Sequence, residues 1–117
     1  MGAMEIERLM GERAKALMEN NPDLEIDRSK EEGDWGLLTL REGGTLVGFE
    51  FLETEESIGR PDALLQYFDA ANDGYYVGVV VPEEKFDDVT DLIYSMGEGP
   101  VTVLTYEDLG ITPYTLA

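Results

Sequence analysis

The chain has 117 residues and 13.0 kDa, is 43% hydrophobic, and contains neither Cys nor His, a length that fits one compact domain and leaves no room for two. Its 26 Asp and Glu against 8 Lys and Arg give a net charge of −18, a field that repels phosphate backbones and anionic membranes, so neither direct nucleic-acid binding nor membrane contact is expected. Without Cys and His, disulfides, thiolate or imidazole metal sites, a Ser-His-Asp triad and haem ligation are excluded, which leaves hard cations held by oxygen or acid–base work by Asp and Glu.

Met1-Gly2-Ala3 reads as a cloning remnant ahead of a native Met4. No stretch nears the ~18 apolar residues of a membrane span, and no export signal is visible, so the expected location is cytoplasmic. From Met4 to about Asn20, the spacing of Ile6, Leu9, Met10, Ala14 and Leu17 predicts an amphipathic helix, which Asn20-Asn21-Pro22 ends. Leu24-Glu25-Ile26-Asp27 alternates as a half-buried strand does, and the polar Ser29 to Asp34 segment reads as a turn. Trp35 to Arg41 and Thr45 to Glu53 are the next two strands, joined at Gly43-Gly44, which completes an antiparallel meander.

Pro61 suits a first helical turn, and a second helix to Asn72 is expected to turn Leu64, Leu65, Phe68 and Ala71 inward. Tyr75 to Val81 is β-branched and aromatic without alternation, as in a strand covered on both faces, and predicts the central strand. Pro82-Glu83-Glu84 opens a third helix with Phe86, Val89, Ile93 and Met96 inward, which Gly97 and Gly99 close. Val101 to Thr105 is the last strand, and residues 106–117 form a tail with one helical turn near Glu107-Asp108-Leu109. The strand-helix-strand units call for parallel pairing and right-handed crossovers.

This order, αβββαβαβ, together with Asp34 in Gly33-Asp34-Trp35 and Glu50 in Gly48-Phe49-Glu50-Phe51-Leu52, resembles the core of the restriction-endonuclease-like superfamily, the PD-(D/E)xK nucleases, over residues 5–105. The resemblance implies a central mixed sheet flanked by helices. In active members an acid near the start of the second strand and a (D/E)-x-K triplet in the third hold a divalent metal, and the Lys helps position or activate the attacking water. Carried over, Asp34 and Glu50 become the catalytic and metal-ligand candidates, with Mg²⁺ as the implied cofactor of a nuclease or phosphodiesterase. The Lys position, however, is Leu52, and Lys15, Lys30 and Lys85 lie on the first helix, a turn and the third helix. A catalytically degenerate member, acting through protein partners, is the reading that follows.

Structural explanations stand beside these. Asp34 also suits an ordinary turn, and Glu50, an acid interrupting an apolar run, needs a partner such as Arg41. Glu53, Glu55 and Glu56 read as solvated loop acids with no spaced ligand pattern. Glu84, Asp87, Asp88 and Asp91 recur at spacings of three and four and make one acidic face, either a docking surface for a basic partner or a solubilising one. The acidity as a whole also matches adaptation to a salt-rich cytoplasm. No glycine-rich phosphate-binding signature is present. A third reading is a structural or assembly subunit, in which Trp35, Phe51, Tyr75, Tyr76 or Tyr114 form an exposed aromatic patch on a homo-oligomeric dimer or a hetero-complex.

Overall fold

The structure, a computed structural model, describes residues 3–95 and 101–111. Helix α1, Ala3–Asn20, buries Ile6, Leu9, Met10 and Ala14, so the three-and-four spacing of apolar residues becomes its packed face. The meander follows as β1 (Leu24–Glu31), β2 (Trp35–Glu42) and β3 (Thr45–Leu52), paired antiparallel so that Arg28 faces Leu38 and Leu38 faces Glu50. Gly43 and Gly44 have φ of 58° and 81°, the left-handed pair that a two-residue hairpin needs to match strand twist. Strand β1 runs to Glu31, well into the stretch expected to be a turn. Ladder hydrogen bonds come from the backbone, so the polar side chains of an edge strand do not prevent pairing.

Helix α2 (Ala63–Asn72) leads to β4 (Tyr76–Val81), and a 3-10 turn (Glu83–Lys85) with helix α3 (Phe86–Ser95) leads to β5 (Val101–Thr105). β4 is parallel to β3, and β5 to β4, in a five-stranded mixed sheet of order β1-β2-β3-β4-β5. The middle strand is therefore β3, not the Tyr75 to Val81 segment, although β4 is interior and Val77 to Val81 are buried. Both crossovers advance the same way across the sheet, so crossovers of one hand place both helices on the same face. The packing agrees: Ala63, Tyr67 and Ala71 of α2 and Val89 and Ile93 of α3 join Trp35, Phe51, Val77, Val79 and Val81 in one cluster. α1 covers the opposite face with Leu38, Leu40, Leu52 and Val80.

Several details differ from the sequence reading. The buried stripe of α2 is 63-67-71, flanked by partly buried Leu64 and Phe68, while Leu65 lies about two residues of rotation from Ala63 and is 61% exposed. Pro61 precedes the N-cap Asp62 and does not open the helix. Residues 106–111 are not a free tail: Tyr106 and Ile111 are buried on the α1 face, and the Tyr106 hydroxyl donates to the Glu53 carbonyl at 2.8 Å. Met96, Gly97, Gly99 and Tyr114 lie outside the described residues. Among the described residues, no helix is long and apolar enough to cross a membrane.

Candidate functional site

Alternation along β3 sends Glu50 and Leu52 toward α1, and Phe49 and Phe51 toward α2 and α3. Glu50 is completely buried. Its partner is Arg13, not Arg41: Arg13 Nε donates to Oε1 at 2.7 Å and Nη2 to Oε2 at 2.9 Å, the side-by-side geometry that makes arginine–carboxylate pairs strong. The Tyr76 hydroxyl donates to Oε2 at 2.8 Å. Gly78 makes room for that hydroxyl, since a Cβ there would stand 2.5 Å from it and 3.3 Å from Glu50 Cγ. The hydrogen bond that Arg13 donates to Glu50 raises the Arg13 pKa further, while burial, followed by the Glu50 charge, holds the Tyr76 phenol well above its ordinary value. Arg41 pairs instead with Asp27 on the surface.

Asp34 is a turn residue with φ of 62°, a left-handed conformation that Asp tolerates better than most side chains. Its carbonyl accepts from Thr54 Oγ1 at 2.8 Å. In the ladder, Leu38 lies opposite Glu50, and Asp34 is four residues further along that chain, roughly 13 Å at strand rise. The structure thus keeps Asp34 and Glu50 apart, and Leu52, at the position of the nuclease Lys, is buried. These residues do not fit a shared Mg²⁺: one carboxylate is bonded on both oxygens to Arg13, and the other is remote. No group of three or more Asp and Glu among the described residues is placed to hold a metal ion.

The next acid on the α2 side of the strand is also completely buried. Glu53, expected in a solvated loop, receives Ser57 Oγ at 2.7 Å and Arg60 Nε at 3.4 Å on Oε1, and Arg60 Nη2 at 2.6 Å and the Tyr67 hydroxyl on Oε2. Burial, and then the Glu53 charge, push the Tyr67 hydroxyl far above the ordinary phenol range. The guanidinium of Arg60 lies 3.6 Å from the Trp35 ring centroid, and Nη1 donates to Gln66. Glu53 therefore ties the β3–α2 loop to α2. The period-two alternation already carried the signal for it, because Glu53 continues the inward series of Phe49 and Phe51. Arg13 was equally legible, standing seven residues after Ile6 and four before Leu17 on the same helical stripe.

Trp35, Phe51 and Tyr75 do come together, but not as the exposed patch the sequence suggested: Trp35 and Phe51 are buried in the core cluster, and only Tyr75 of the three is half-buried. With Leu37 and Phe49 they line an open groove of about 400 Å³ between the meander and α2, edged by Glu31, Gln66, Asp69 and Asp73. Trp35 stacks on Phe51 at 5.9 Å, and Phe49 meets Tyr75 edge-on at 5.8 Å. Tyr76 faces away, toward Glu50. Glu84, Asp87, Asp88 and Asp91 are all exposed, with Glu84 in the 3-10 turn and the other three on α3. The pKa of Glu84 is raised, first by its hydrogen bond with Glu55 and then by the charge of that carboxylate.

Comparison with protein-family models, curated proteins and solved structures finds no match to this chain.

Proposed function

We propose that this chain is a protein-interaction domain of restriction-endonuclease-like topology in which the nuclease acids have become structural, and that its aromatic groove seats a basic segment of a partner protein. The observation that carries the reading is the groove itself, whose lining combines Trp35, Leu37, Phe49 and Tyr75 with Glu31, Asp69 and Asp73, while Arg60, which stacks on Trp35, is already committed to Glu53 and Gln66. Leu37, Phe49 and Tyr75 are half-buried, so each leaves some apolar surface for a partner to cover, and the three carboxylates select a cationic neighbour. The net charge of −18 adds long-range attraction for such a segment and opposes pairing of two copies. The commitment of Glu50 to Arg13 and Tyr76, and Leu52 in place of a lysine, weigh against hydrolysis through these acids.

Trp35 is the only tryptophan, so its emission reports on the groove. A synthetic peptide of alternating lysine and leucine is expected to change that emission saturably, and a glutamate–leucine peptide is not. Asp69→Lys with Asp73→Lys, both at exposed positions that leave the core intact, is expected to weaken binding at least tenfold. Binding unaltered by this charge reversal would overturn the reading. So would Mg²⁺-dependent cleavage of DNA or RNA that disappears in Glu50→Gln, which would restore the nuclease alternative.

A further inference from the structure

We infer that the cleft between α2 and α3 binds a small, uncharged, mostly hydrocarbon molecule that carries a hydrogen-bond acceptor. The cleft holds about 210 Å³. That is roughly seven times the liquid volume of one water, room for a single substituted ring. Ile58, Leu64, Val81 and Val89 supply apolar walls, and the buried Glu53–Arg60–Tyr67 network supplies one polar edge. The cleft lies at the carboxyl ends of the parallel strands β3 and β4, where Glu53 and Val81 line it. It is distinct from the aromatic groove and does not depend on the docking reading.

The polar edge selects the ligand's chemistry. Both Glu53 oxygens already accept, from Ser57, Arg60 and Tyr67, and the Tyr67 proton is used on Glu53. Arg60 carries five N–H donors, of which Nε and one on Nη2 go to Glu53 and one on Nη1 goes to Gln66. Two N–H groups remain without a protein acceptor among the described residues, so the edge offers donors and asks for an acceptor. The Arg60 charge is compensated by Glu53, which leaves no excess cation to attract a carboxylate through the field of 26 acids. A cationic ligand would meet the guanidinium directly. A neutral carbonyl or amide on a hydrocarbon body satisfies every condition.

Benzamide is a suitable probe, titrated into the full chain while side-chain methyl resonances are followed by NMR. Saturable shifts are expected at Ile58, Leu64, Val81 and Val89, with benzoate and benzamidinium binding at least tenfold more weakly. Leu92 lines the cleft and is 45% exposed, so Leu92→Glu places a charge at the mouth in a protein that still folds, and is expected to cut benzamide affinity at least tenfold. No saturable shift, equal binding of the three probes, or shifts confined to the methyls of Leu37 in the aromatic groove would each overturn the inference.

Discussion

Glu50 and Glu53 stand three residues apart, an odd number, so a strand's alternation sends them to opposite sides of one sheet. Each finds an arginine and a tyrosine there, Arg13 with Tyr76 and Arg60 with Tyr67. A buried ion pair gains little over apolar residues of the same size, yet removing one partner leaves an uncompensated charge. Glu50→Ala is therefore expected to cost about 3 kcal/mol, the low end for a broken buried pair because the Arg13 side chain is 11% exposed and keeps some water. Arg13→Met with Glu50→Leu is expected to restore stability to within about 1 kcal/mol of the original, since both charges go together. Urea denaturation of the two single variants and the double variant measures this coupling. A Glu50→Ala protein as stable as the original would mean that the pair contributes nothing.

At the scale of elements, the loops after β3 and β4 bring acids together that lie far apart in sequence. The Glu55 and Glu84 carboxylates come close enough to raise the Glu84 pKa, and Glu107 adds its charge to Glu84 and accepts from the Glu83 backbone at 3.2 Å. The folded chain thus binds a proton at Glu84 more tightly than the unfolded chain does. Stability from this contact is present at low pH and declines as pH rises above the ordinary glutamate value of 4.5. Glu84→Gln, at a fully exposed position, is expected to raise the melting temperature at neutral pH and to flatten its fall above that value. A melting curve measured at successive pH values, with the same slope in the variant, would show that the carboxylates avoid each other in solution. The spacing of residues 84, 87, 88 and 91 identified an acidic face, but not its contact with Glu55, because no local pattern reports which loops meet across parallel crossovers.

Across the whole molecule, Glu50 and Glu53 are the only buried acids among the described residues, so nearly all of the negative charge is met by solvent. Mutual repulsion then opposes the compact state most at low ionic strength, where the screening length is ~30 Å at 0.01 M against ~3 Å at 1 M. The melting temperature is expected to rise with sodium chloride over that range. Neutralising Glu84, Asp87, Asp88 and Asp91 to their amides is expected to reduce the rise, since these exposed groups leave the core untouched. Sulfate is a poor titrant because its exclusion strengthens apolar burial independently of charge. A melting temperature flat in salt would mean that the surface acids are already locally compensated.

Local chemistry determined much of this fold from the sequence: the apolar stripe of α1, the Gly43-Gly44 hairpin, the three-strand meander and the parallel pairing after it all follow from periodicity, turn residues and crossover length. Individual residues were legible to the extent that their neighbours in sequence set their face, as with Glu50 among Phe49, Phe51 and Leu52. What the tertiary structure alone decided is who meets whom. Arg13 reaches Glu50 across 37 residues, Tyr106 reaches the Glu53 carbonyl across 53, and Trp35, Phe51 and Tyr75 converge on one groove while Tyr76 turns away. These contacts depend on strand order and on which face each helix covers. Both are set by long-range packing, whose free energy is absent from any short window of sequence.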